Sequence, residues 1–182
     1  MLPWGHAAVG YLWYTLYARL RHERTPRGTA VIALAIGTQI ADLIDKPLAW
    51  TFGVLPSGRS LGHSLLVVGI VVGMLYWVYR RSGYPLTTLV AFSIGWVSHV
   101  FADGYRILFG EPTCLNYLVW PLLGTCPYNE TNRSIIEFFL TLETGNGFMI
   151  GMGLAGVAVV VWLYDGAPGI QYLRNRIVEA LT

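Results

Sequence analysis

Charge is scarce in this chain. Only 12% of its 182 residues are Asp, Glu, Lys or Arg, about half the share found in ordinary soluble domains. With 54% hydrophobic residues and a mean hydropathy of +0.52, that shortage excludes a conventional soluble domain. Lysine is almost missing: Lys46 stands alone beside eleven arginines. No basic block and no basic–aromatic interleave occurs, and the net charge is only +2. Nucleic acid is therefore a poor partner. No basic segment precedes the first apolar run, and the nearest arginines follow it. The N-terminal stretch thus reads as a retained span, not a cleaved signal. Cysteine is limited to Cys114 and Cys126.

What the chain has is long uncharged stretches. Residues 61–79, 82–102 and 144–164 contain no Asp, Glu, Lys or Arg. Each reaches the roughly 18 residues needed to cross a hydrocarbon core of about 30 Å. Residues 1–18 are similar but include Pro3 and His6, and the apolar run at 29–41 is shorter and ends in Asp42 and Asp45. The fold class is all-α: a polytopic membrane helix bundle forming a single domain over 1–182. About five transmembrane helices are expected, near 4–20, 28–45, 61–80, 86–109 and 146–165, the second short enough to be re-entrant. The segment 110–131 is the longest polar loop. After it, Ser134 and Glu137 are spaced as a capping box ahead of an apolar run, which reads as a short outer interfacial helix.

Arginine sets the orientation. Arg19, Arg21, Arg24, Arg27, Arg80, Arg81, Arg174 and Arg176 fall on one side of five alternating spans. Lys46, Arg59, Arg106 and Arg133 fall on the other. The richer side is expected to be cytoplasmic, which puts the N-terminus outside and the C-terminus inside a multi-pass cell-membrane protein. His22 then lies in a basic inner loop, as a headgroup-facing residue. Cys114 and Cys126 lie outside, where an oxidising compartment would allow a disulfide; two half-buried free thiols fit equally well. Asn129 and Asn132 begin N-x-[ST] triplets compatible with an outer face.

The same orientation brings His6, Asp42, Asp45, His63, His99 and Asp103 to the outer ends of four consecutive spans. Ionisable groups at membrane depth are costly and commonly mark a site. His99 and Asp103 are four apart and share a helix face, and Asp42 and Asp45, three apart, do the same. Taken singly, each has a plainer role. A histidine at a helix end can be interfacial, Asp42 and Asp45 can pair with Lys46 and Arg59, and Asp103 can pair with Arg106. Taken together, imidazoles and carboxylates from four helices form the ligand set of zinc and related divalent metals. Arg59 and Arg106 fit either snorkelling or anion binding.

Several motifs occur in order: Pro3 to His6, Ile40 to Pro47 with Asp42 and Asp45, Gly58 to Leu66 with Arg59 and His63, Gly95 to Asp103 with His99, and then Trp120 and Pro121. Over roughly residues 3–140 the series resembles the membrane-bound metal-dependent hydrolases once described as inner-membrane-associated LexA-binding proteins. More distantly, its order of His, Asp, His and His-x-x-x-Asp is similar to the zinc-dependent phospholipase C and P1 nuclease group. That likeness implies phosphoester hydrolysis by a cluster of metals. The chain departs from both patterns: Asp42-x-x-Asp45 replaces Asp-x-Asp, Gly58 replaces a histidine, Arg133 stands where a histidine would precede Glu137, and Trp4 is not N-terminal. One or two ions are therefore expected, not three.

The resemblance and the residues together imply a metal-dependent hydrolase cleaving a phosphoester in a lipid or lipid-linked substrate at the outer membrane face. The expected metal ligands are His6, Asp45, His63, His99 and Asp103, because Pro47 matches Asp45 to the family's ligand. Asp42 is the expected general base, and Arg59 the residue holding the charged substrate group. Partners are membrane lipid and a small-molecule or lipid phosphoester. Gly147 and Gly151 form a G-x-x-x-G pair that fits internal packing as well as a homo-oligomer. Competing readings are a structural metal with a filled shell and no cleft, an ion carrier with midplane ligands, and a scaffold in which these groups merely pair with arginines.

Overall fold

The computed structural model describes residues 1–22, 25, 26, 28–126, 137 and 145–181. Among them there is no strand, and six α-helices carry the fold. They are α1 (Pro3–His22), α2 (Thr29–Lys46), α3 (Leu65–Ser82), α4 (Leu86–Asp103), α5 (Asn146–Tyr164) and α6 (Ile170–Leu181). The Asn129 and Asn132 triplets, Arg133, Ser134 and the interfacial helix expected after it lie outside the described residues, apart from Glu137. Arg24 and Arg27 also lie outside them.

α3, α4 and α5 are long and apolar enough to cross a membrane by length and composition. α1 and α2 have 20 and 18 residues, so they reach the length. Arg19 and Arg21 in α1, and Asp42, Asp45 and Lys46 in α2, dilute their apolar character. α2 is one continuous helix, prolonged by a π-helical turn over Pro47–Thr51.

α4 is the centre of the bundle. Half of its span is buried, against 6% for α3 and 11% for α5. α5 is apolar on nearly every side, as suits a helix facing hydrocarbon. Near the C-terminal end of α3, Arg81 stacks over Trp77 at 4.6 Å and the Tyr79 and Tyr84 rings lie 5.5 Å apart. Aromatic and basic residues of this kind anchor a helix at the membrane–water interface.

Glycine sets how closely the helices approach. A Cβ on Gly37 would run into the Phe92 carbonyl, and one on Gly95 would lie 2.5 Å from the Leu34 carbonyl oxygen. α2 and α4 thus meet backbone to backbone, as small residues permit. Gly5 and Gly151 do the same for α1 and α5, with a Cβ on Gly5 only 3.3 Å from the Gly151 Cα. Gly151 of the G-x-x-x-G pair is therefore spent on packing within the chain. Further along α1, the Tyr11 hydroxyl donates to Asp165 at 2.7 Å and Arg19 donates to the same carboxylate at 2.5 Å.

The seam makes a testable prediction. Gly37→Ala is expected to cost roughly 1–3 kcal/mol through overpacking. Gly73→Ala, on an open face of α3 with nothing within 4 Å, should leave the thermal unfolding midpoint in detergent unchanged or slightly raised. Equal midpoints for the wild type and Gly37→Ala would contradict the close approach.

The loops over the cluster end are held by buried hydrogen bonds. Trp96 Nε1 donates to the Gly62 carbonyl at 2.7 Å, Ser64 Oγ to the Trp120 carbonyl at 2.6 Å, and the Tyr117 hydroxyl to the Val100 carbonyl at 3.3 Å. Cys114 and Cys126 form a disulfide with Cα atoms 5.7 Å apart. These ties press the loop carrying His63 onto the ends of α2 and α4.

Candidate metal centre

His6 comes from the first turns of α1, Asp42 from the last turns of α2, His63 from the loop before α3, and His99 and Asp103 from the end of α4. All five converge at one end of the bundle. The three histidines are fully buried and Asp103 is 6% exposed. The topology explains the convergence: successive helices alternate in direction, so α1 begins where α2 and α4 end.

The hydrogen bonds fix the tautomers of two rings. His99 Nδ1 lies 2.6 Å from the Thr38 carbonyl oxygen, an atom that can only accept, so Nδ1 carries the hydrogen. His63 Nδ1 lies 2.8 Å from Asp45 Oδ2, and an ionised carboxylate also only accepts. The two Nε2 atoms then face each other at 3.2 Å. Two neutral rings held this way would oppose lone pair to lone pair, which a proton or a cation between them would relieve. A backbone carbonyl or carboxylate on the far nitrogen is also the usual support of a metal-binding histidine.

Carboxylates complete the donor set. Asp42 Oδ1 lies 3.7 Å from the Nε2 atoms of both His63 and His99. Asp103 Oδ2 lies 3.4 Å from His63 Nε2. Around a tetrahedral zinc with bonds of about 2.0 Å, neighbouring donors sit about 3.3 Å apart, so these separations suit such an ion. His6 stacks on His99 with ring centroids 3.8 Å apart. Its Nε2 is 3.3 Å from Asp103 Oδ1 and 3.2 Å from the Met1 carbonyl oxygen. Its Nδ1 is buried with no hydrogen-bond partner among the described residues. Two overlapping trios result, His6–Asp42–His99 and His63–His99–Asp103, each with donor atoms within 4.8 Å of one another. His99 belongs to both.

Asp45, expected among the ligands, lies behind His63. Its Oδ1 accepts the Gly62 N–H at 2.7 Å, and its Oδ2 accepts the Ser60 N–H at 2.8 Å besides His63 Nδ1. The carboxylate is occupied in folding the loop and orienting the ring. Asp42, expected as the base, stands instead among the converging donors. The physical reason is helix geometry, since residues three apart point in directions about 60° different. Asp42 turns toward α1 and α4, and Asp45 toward the loop.

Cations flank the cluster. Arg59 Nε lies 2.6 Å from Asp103 Oδ2, and the Met1 α-amine lies 3.1 Å from Asp103 Oδ1. Lys46 Nζ lies 2.6 Å from Asp42 Oδ2 and also packs over the Trp50 ring. Arg106, one of the partners open to Asp103 from the sequence, faces Glu111 at 3.5 Å on the exposed rim. In the loop ahead of α3, burial alone would push the His63 imidazole down. Asp103 and Asp45 more than offset it and hold the ring above its ordinary pKa. A cleft of about 1400 Å³ opens beside Asp103 and Arg59, walled by Tyr105, Arg106 and Phe148. The Thr38 carbonyl, the Met1 backbone and the Ser60 and Gly62 amides are the parts that sequence reasoning missed. Backbone atoms leave no residue-type signal, though Thr38 sits one turn before Asp42.

The chain matches the family model described as YdjM inner membrane protein over residues 1–167. No curated protein and no solved structure matches it.

Proposed function

The chain belongs to the YdjM inner membrane protein family, and from that membrane setting we propose that it is a membrane-embedded metal-dependent hydrolase, acting on a phosphoester in a lipid or lipid-linked substrate at the outer face. The main support is the pair of Nε2 atoms on His63 and His99, 3.2 Å apart, with both far nitrogens committed to acceptors. His63, His99, Asp42 and Asp103 would hold the ion. His6 would complete its shell or serve a second ion through the shared His99. Imidazole and carboxylate donors favour zinc among the divalent metals. When bound, such an ion polarises a phosphoryl oxygen and acidifies water near neutral pH.

The chain's own groups do the rest. Asp45 and the Thr38 carbonyl keep the two rings in the tautomer that offers Nε2. Arg59, at the mouth of the cleft, is placed to take a phosphate oxygen, because a guanidinium matches that geometry. The cleft beside the donors favours a reacting site over a purely structural metal. Five spans with the N-terminus outside agree with the arginine distribution, and the disulfide agrees with an oxidising outer compartment.

A second reading has its own observation. The contacts of Arg59 with Asp103 and of Lys46 with Asp42 are those of an ion-paired scaffold, in which the facing imidazoles would share a proton. Metal analysis of detergent-purified protein separates the two. The hydrolase reading expects one or two equivalents of zinc or another transition metal, and phosphate or headgroup release from phospholipid vesicles that stops when the metal is chelated. Protein that carries no metal after growth in supplemented medium would leave the scaffold.

A further inference from the structure

We propose that a groove over α1, between α4 and α5, seats an acyl chain of an anionic phospholipid whose phosphate lies in the charged cleft. This rests on the hydrolase reading and names its substrate class. An apolar cavity of about 480 Å³ adjoins the charged cleft, and the two share Met1, Tyr105, Phe109 and Ile150 in their walls. They form one amphipathic space. Its chemistry changes along its length. Arg59, Asp103, Arg106 and Glu111 line one end, whereas Val9, Trp13, Phe101 and Leu154 line the other.

The dimensions suit one leaflet. α1 packs against both α4 and α5 and forms the floor. Trp13 is seven residues beyond His6, about 10 Å further along the helix. Half of a hydrocarbon core is about 15 Å, so the groove fits within the leaflet that holds the site. The Trp13 ring meets Phe101 at 6.4 Å and ends it. Trp13 and Phe101 are 45% and 48% exposed, so the groove opens sideways and a lipid can enter without leaving the bilayer. Any apolar groove at this depth meets hydrocarbon; selection comes from the charged end. There Arg59 is joined by Arg106, whose exposed contact with Glu111 is 3.5 Å long and so weak enough for a phosphate to displace.

The test uses the full chain in phosphatidylcholine nanodiscs containing phosphatidic acid with a photoreactive diazirine on one acyl chain. A phosphatidylcholine probe with the same chain is the comparison. Crosslinks are mapped by mass spectrometry, and metal content is measured on every sample. Phosphatidic acid should label groove residues well above phosphatidylcholine. Leu154→Trp should cut groove labelling about tenfold by filling it, with Val9→Phe doing the same from the opposite wall. Val160→Trp, on an exposed face of α5, should not, and all three variants should keep the wild-type metal content. Equal labelling in wild type and Leu154→Trp, or labelling scattered over all lipid-facing helices, overturns the proposal. Stronger competition by a polyprenyl phosphate, or crosslinks between two copies at the groove, assigns it to those occupants instead. Groove labelling without metal would support the lipid seat and sink the hydrolase reading; metal without groove labelling would do the reverse.

Discussion

His99→Ala is expected to leave the purified protein with no bound metal, whereas His6→Ala retains one ion. The asymmetry follows from the overlap of the two trios. His99 is common to both, and His6 enters only one. Removing His6 leaves His63, His99 and Asp103 complete; removing His99 leaves neither trio. Structural zinc sites carry apparent binding free energies of about 10–16 kcal/mol, and losing the imidazole common to both trios removes a large part of that. Elemental analysis beside a gel-filtration profile reads both quantities, metal and fold. Hydrolysis should vanish with the metal in His99→Ala. A full metal complement in that variant would show that the facing imidazoles are not donors. Loss of all metal in His6→Ala would show one indivisible centre.

Asp42→Asn and Asp45→Asn should fail in different ways. Asp42→Asn replaces a carboxylate oxygen 3.7 Å from two Nε2 atoms with a neutral amide, so the ion that depends on it should be lost and not recovered by excess, leaving only the one held by His63, His99 and Asp103. Asp45→Asn leaves every donor in place but loosens the hold on His63. Such supporting residues are worth about 10–100-fold in metal affinity, so excess metal should restore occupancy. Asp45 also accepts two buried backbone N–H groups, and spoiling that arrangement should cost about 1–3 kcal/mol of stability. Metal titration of both variants, with thermal unfolding in parallel, decides the matter. If Asp45→Asn cannot be reloaded while Asp42→Asn binds metal normally and is merely inactive, then Asp45 is the ligand and Asp42 the base, as expected from the sequence.

The helical class and the common end of the site were legible because charge is rare here. When only six histidines and aspartates punctuate one end of four apolar runs, their convergence needs only alternating direction. His99 and Asp103 were the plainest, since a spacing of four keeps both on one face. The division of labour between Asp42 and Asp45 was not legible. It depends on a small rotation around α2 and on a loop wrapping Asp45, and neither shows in residue types. The partners of the arginines were hidden for a related reason: Arg59 reaches Asp103 across the fold, and Arg106, three residues from Asp103, turns to Glu111. Cysteine spacing left a bridge and two thiols equally open until the loop path brought the pair together. Of the five expected spans, α1 and α2 reach the length, but the charges that mark the site and the loops keep them out of the set apolar enough to cross a membrane.

The glycine seam between α2 and α4 bears on the order of assembly in the bilayer. The approach that Gly37 and Gly95 permit is the same approach that delivers the Thr38 carbonyl to His99. Before the helices dock, His99 has no fixed tautomer and Asp42 waits on a separate helix. If the centre holds an ion as proposed, its donors would stand together only after the bundle has closed.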